Sequence, residues 1–91
     1  MSEAKEITAV VPSLRVDVLG ARAFNVSRAY FAKGIASGSV SSDGKVVGKS
    51  ASASAGQEFT AHTLGTFHVV SVDGETRRGN LRVTLNVTRE R

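Results

Sequence analysis

The chain has 91 residues, 41% of them hydrophobic, no cysteine and a formal net charge of +4. That length holds one domain with a modest core, leaving room for a binding face but little for a deep catalytic cleft. The composition excludes a disordered tail, a disulfide framework, a thiol nucleophile and a cysteine zinc site, and no apolar run is long enough to cross a bilayer as a helix.

Residues 1–13 show no clear period and read as a tail or linker. Pro12, the single proline, marks a boundary, and Ser13 is placed to cap a helix starting at Leu14. The stretch LRVDVLGARAF has both signals: Val16 and Val18 alternate with charged residues, while Leu14, Val18 and Ala21 fall at helical spacing. The Pro-Ser start favours a short helix, although Gly20 costs it about 1 kcal/mol relative to alanine. On such a helix Arg15 and Arg22, two turns apart, project from one side. Asn25-Val26 makes a turn. Ser27 then caps a second helix from Arg28 to Ser37, with Phe31, Ala32 and Ile35 as its apolar stripe, Lys33 as a further cation and Gly38 as its stop. Arg28 falls in the first turn, where the helix dipole disfavours a cation unless an anion is bound there.

Asp43-Gly44 between Val40-Ser41-Ser42 and Lys45-Val46-Val47 is a strong hairpin signal. Residues 50–55 (SASASA) read as an extended connector of weakly specified register, and a strand follows near Glu58 to Ala61. Phe67 to Val72 reads as a strand, Asp73-Gly74 as a second hairpin turn, and Leu81, Val83, Leu85 and Val87 alternate with polar residues in a closing strand. The expected architecture is α+β: two short N-terminal helices on a small, mostly antiparallel sheet of four to five strands, spanning residues 14–91.

Charge is unevenly placed. Residues 14–49 carry six basic groups (Arg15, Arg22, Arg28, Lys33, Lys45 and Lys49) against Asp17 and Asp43, and residues 77–91 carry five arginines against Glu90. Between them, residues 50–76 hold Glu58, Asp73 and Glu75 with no lysine or arginine. Localised basic patches of this kind attract phosphate backbones or anionic surfaces. Arginine suits phosphate because its planar fork donates two parallel hydrogen bonds. Asp17 reads as a tether for a neighbouring basic side chain or backbone N–H. Of the two aromatics with rings suited to stacking on a base, Phe24 reads as core and Tyr30 as half-exposed packing. Their scarcity favours reading of folded RNA by shape and phosphate over single-strand stacking.

Other chemistry is poorly supported. His62 and His68, the only histidines, lack the convergent ligands a metal needs. No nucleophile elbow, Walker loop, dinucleotide fingerprint or carboxylate pair is present. Gly34-x-x-x-Gly38 reads as close packing or a helix stop rather than a membrane dimer motif. Neither an enzyme nor a cofactor is expected. With no secretory leader read, a cytoplasmic monomer without membrane contact is expected, and the glycosylation-type triplets at Asn25 and Asn86 read as chance.

The run from Leu14 to Thr60 resembles the S4 RNA-binding domain, or alpha-L motif. The matching pieces are Arg15-Val16-Asp17-Val18-Leu19, Ser27-Arg28, Ile35-x-x-Gly38-x-Val40, Asp43-Gly44-Lys45, Lys49-Ser50, and Gly56 before Glu58-Phe59. Phe67 to Val72, Gly74-Glu75-Thr76-Arg77-Arg78-Gly79 and the closing strand resemble the C-terminal S4 domain of the YlmH family. The resemblance implies a non-catalytic binder of ribosomal or transfer RNA on the large ribosomal subunit, acting in translation or in rescue of stalled ribosomes, with the arginines matching Arg15 and Arg28 on the RNA. Arg22, Ser27, Lys33, Lys45, Lys49, Arg77 and Arg78 complete the expected RNA-binding set. Asp43 stands where the family has asparagine and Gln57 where it has aspartate. His62-Thr63 and Gly65-Thr66 replace a basic pattern, which confines the expected contacts to the helices and first hairpin, with Arg77 and Arg78 as a second contact. Two other readings are the RNA-targeting domain of a larger pseudouridine synthase or RNA methyltransferase, and a protein-interaction module with an incidental basic surface. The Thr76-Arg77-Arg78-Gly79 segment favours the ribosome-associated binder over the enzyme module.

Overall fold

The structure, a computed structural model, describes residues 4–48 and 50–89. Two helices, α1 (Val16–Phe24) and α2 (Arg28–Ala36), lie among six strands: β1 (Ala4–Val11), β2 (Val40–Ser42), β3 (Lys45–Val46), β4 (Glu58–Ala61), β5 (Gly65–Glu75) and β6 (Leu81–Arg89). The strands form one sheet in the order β1-β6-β5-β4-β2-β3 with every neighbouring pair antiparallel. The α+β class therefore stands, with six strands rather than the expected four to five.

The additional strand is β1, in the segment expected to be a tail. Ile7, Ala9 and Val11 pair with Leu85, Val83 and Leu81 on the core side of β6, while Glu6, Thr8 and Val10 point the other way. The period of two is present in the sequence, but small Ala9 and exposed Val10 blunt its contrast. Pairing with β6 is what makes this segment a strand.

Helix α1 begins two residues later than the Pro-Ser signal implies. Arg15 is its N-cap with no side-chain cap, and Ser13 instead accepts a bond from the Arg15 N–H at 3.4 Å. Asn25 closes the helix in the left-handed conformation, φ 55°, one of the few residues tolerant of it. Helix α2 starts as expected: the Ser27 hydroxyl accepts from the Tyr30 N–H at 3.0 Å. It ends at Ala36 with Ser37 as C-cap, and Gly38, φ 82°, follows with Ser39 N–H on Gly34 C=O at 2.8 Å, a Schellman-type closure.

The Asp43-Gly44 hairpin also forms, both residues at positive φ as a type I′ turn requires. Asp73-Gly74, by contrast, is no turn. The Asp73 carboxylate accepts bonds from Ser71 (2.7 Å) and, across the ladder, from Thr84 (2.8 Å), so the dipeptide stays within β5. Register shifts between Val69 and Ser71 and between Val72 and Gly74 absorb the irregularity. The chain reverses at residues 76–80, where Thr76 N–H meets Asn80 C=O at 2.7 Å and the Thr76 hydroxyl accepts from Asn80 N–H.

One core fills the space between the helices and the inner face of the sheet. Phe67 is its centre, with ring centroids 5.9 Å from Phe24, 6.4 Å from Phe31 and 5.2 Å from Phe59. Each buried ring is worth about 1.5–3 kcal/mol in apolar burial. The tightest approach is between the helices: a Cβ at Gly20 would lie 2.2 Å from Phe31 ring carbons, so only glycine admits that ring. Gly34, on the other helix, faces only a methyl of Val40 at 3.9 Å. Gly20→Ala is therefore expected to lower stability by about 1–3 kcal/mol, and Gly34→Ala to raise it by about 0.5–1 kcal/mol. Urea denaturation of the two variants beside the parent chain checks both signs.

Candidate nucleic-acid interface

The basic residues of the two helices are organised around Asp17, which is 5% exposed. Its Oδ2 accepts from Arg28 Nε at 3.3 Å, and its Oδ1 is paired with Arg15 Nε at 3.4 Å. Asp17 thus tethers two basic side chains from two elements, the role its type and place suggested. The arginines remain 43% (Arg15) and 54% (Arg28) exposed. Arg28 engages Asp17 through Nε, a geometry that keeps its terminal nitrogens for a bidentate partner. The unfavourable placement of Arg28 at a helix N-terminus is offset by this carboxylate, which itself sits favourably in the first turn of α1.

Arg15 is positioned by part of the SASASA connector, residues 51–53. Val16 N–H donates to Ala51 C=O at 3.0 Å, Ala53 N–H donates to Leu14 C=O at 2.7 Å, and Arg15 and Ser52 form an antiparallel bridge. Small side chains let residues 51–53 lie against the start of α1, and Ala53 is buried in the core. Gln57, which replaces the expected aspartate, ties the next turn by accepting from Ser54 N–H (3.1 Å) and donating to the Ser42 hydroxyl (3.3 Å). Ser42 in turn donates to Glu58 C=O at 2.8 Å. Alternation alone does not disclose these ties, because both partners are polar and distant in sequence.

Arg15 and Arg22 do not share one side. Arg15 lines a hollow with Asp17, Lys33 and the alanines of α2, whereas Arg22 lines another with Pro12, Val26 and Arg28. The reason is that Arg15 precedes the helix, in extended conformation, so the two-turn spacing does not apply. Arg22 also reaches β1, with Nη2 3.4 Å from Val10 C=O. Arg28, in contact with Asp17 and lining the Arg22 hollow, joins the two groups. The strip runs Arg22, Arg28, Asp17, Arg15, Lys33. Its floor includes Ala29, Ala32 and Ala36, whose shortness lets a bulky ligand approach the helix.

The remaining candidates lie elsewhere. Ser27 is committed to capping α2. Lys45 is exposed on edge strand β3, at the opposite edge of the sheet from β1. Arg77 and Arg78 are exposed in the turn between β5 and β6, with Arg77 lining a hollow beside Asp73 and Arg82. Lys49 lies outside the described residues. His62 is exposed beside α2, and His68 sits in register between Glu58 and Asn86. Among the described residues no group of three or more histidine, aspartate or glutamate side chains is arranged to hold a metal, and no helix is long and apolar enough to cross a membrane. A scan against protein-family models finds no match for the chain, and a search of curated proteins finds none either.

Two measurements check this geometry. Asp17→Asn removes the charge that holds both arginines and is expected to cost about 1–3 kcal/mol, read from the denaturation midpoint. The Asp73 carboxyl is held below the usual aspartate range by the hydrogen bond from Ser71, then that from Thr84, which outweigh the opposing effect of desolvation, with Arg82 adding a lesser attraction. Because the folded value is the lower one, Asp73 favours the fold at neutral pH, and that contribution is lost as pH falls through its lowered titration point. In a carboxyl-carbon NMR titration, Ser71→Ala is expected to move Asp73 upward, toward an ordinary aspartate.

Proposed function

We propose that this chain is a non-catalytic RNA-binding module that recognises structured RNA, ribosomal or transfer, through the strip along α1 and α2. The observation that carries the reading is the pair of half-exposed arginines, Arg15 and Arg28, held on either side of buried Asp17. Guanidiniums fixed in place by a carboxylate meet phosphates with less loss of side-chain freedom than loose ones. Lys33 and Arg22 extend the positive charge along the helical side.

The opposite face of the sheet supports this orientation. There, Glu58, His68, Asn86 and Glu6 follow one another across four strands in register, and two carboxylates in that row disfavour phosphate. An RNA attracted by charge is therefore directed to the helical side. Arg77 and Arg78, on the β5–β6 turn, form the secondary contact in this reading. The resemblance to S4 domains, and to the YlmH family among them, is carried by residues that fall largely between the start of α1 and β4. It extends the proposal to a module of the large ribosomal subunit that acts in translation or in rescue of stalled ribosomes.

Removing both arginines strands the buried carboxylate, so the informative variant is the triple change Arg15→Ala, Arg28→Ala, Asp17→Asn. With unfractionated tRNA or a ribosomal RNA stem-loop as probe, it is expected to bind at least tenfold more weakly while its circular dichroism matches the parent. For the parent chain, affinity should fall steeply between about 50 and about 200 mM salt, and each lost phosphate contact should reduce the log–log slope by about 0.7–0.9. Equal affinity of a folded triple variant removes the strip from consideration.

A further inference from the structure

A third hollow adjoins the strip, between α2 and the tight turn that joins β4 to β5. Its volume is about 440 Å³, within the range of about 300–1,000 Å³ typical of small-molecule sites. Buried Phe31, Val40 and Ala61 make it apolar below. Tyr30, Lys33 and His62 line it with exposed side chains. The walls are braced: His62 N–H donates to Ser39 C=O at 2.8 Å, Leu64 N–H to Ala61 C=O at 3.1 Å, and the Ser37 and Ser39 hydroxyls lie 3.0 Å apart.

Tyr30 is the only aromatic residue outside the phenylalanine core, and its side chain is left largely in water at 55% exposure. An exposed ring at the edge of an apolar hollow is not accounted for by packing. Lys33 lines both this hollow and the Arg15–Asp17 hollow on the other flank of α2. A phosphate chain lying on the strip therefore passes Lys33 and reaches the mouth of the hollow.

We propose that this hollow takes one unpaired nucleobase of the bound RNA, stacked against Tyr30, with Lys33 at the adjoining phosphate and the Ser37, Ser39 and His62 side chains at the polar edge of the base. The proposal rests on the RNA-binding reading above and adds to it a preference: the RNA is not a plain duplex but carries an unpaired base near the phosphates that the strip engages. An aromatic platform is tolerant of base identity, because every base offers a π-face. The selection is thus for an unstacked base rather than for a sequence.

The chain has one tyrosine and no tryptophan, so its intrinsic emission reports on this site alone. The experiment uses two end-labelled RNA hairpins that differ at one position, a bulged adenosine in the first and an abasic residue in the second, with label anisotropy and tyrosine emission read together. The bulged hairpin is expected to bind about tenfold more tightly and to quench Tyr30, and the abasic hairpin to bind without quenching. Tyr30→Ala, at an exposed position, should bind the abasic hairpin as the parent does and lose the preference for the bulge. Tyr30→Leu, which keeps apolar bulk without a π-face, should lose most of it. Equal binding of both hairpins with unchanged emission overturns the pocket and leaves the strip standing. Failure of both hairpins to change the anisotropy overturns the RNA-binding reading and this proposal together.

Discussion

The geometry of the helical side depends on one close approach, the Phe31 ring seated on Gly20. With no Cβ at residue 20, α2 comes near enough for Phe31 to fill the place a side chain would hold, and the ring then joins Phe24 and Phe67 in the core. The same pair of helices carries the contact of Arg28 Nε with Asp17 Oδ2 at 3.3 Å. Phe31 further closes the bottom of the hollow beside Tyr30, so core packing shapes both flanks of α2.

The Asp17 cluster contributes more to position than to stability. Pairs with half-exposed arginines are worth little as ion pairs, because water and salt screen them. A buried carboxylate without them would, however, be costly. The result is a carboxylate that needs its arginines and arginines that stay accessible. Arg15 is further held by the backbone bonds of Leu14 and Val16 to residues 51–53, and Arg28 by the capped start of α2. For the proposed function this means that the cations are in place before a phosphate arrives.

Long-range ties outside the core serve the same elements. Arg89, at the end of β6, donates to Phe24 C=O at 2.8 Å and closes the C-terminus of α1 with a cation, where the helix dipole favours one. Gln57 and Ser42 connect the turn after residues 51–53 to the first hairpin. Asp73 gathers Ser71 and Thr84 on the outer face and displaces the chain reversal to residues 76–80, which puts Arg77 and Arg78 at the tip of the longest hairpin.

Signals carried within a few neighbouring residues were legible in the sequence. The Ser27 cap and Gly38 stop of α2, the Asp43-Gly44 turn, the alternation in β6 and the tethering role of Asp17 all rest on local chemistry, and each is where the residues placed it. What the sequence left undecided rests on partners distant in the chain. Ala4–Val11 is a strand because β6 offers it a ladder, and Asp73-Gly74 is strand rather than turn because Gly74 pairs with Arg82 and the Thr84 hydroxyl donates to Asp73. Arg15 and Arg22 separate because the helix begins after Arg15, where residues 51–53 hold the chain extended. A one-dimensional pattern states which residues want burial, a cap or a cation. Which distant backbone or side chain satisfies them is settled only when the helices and sheet pack.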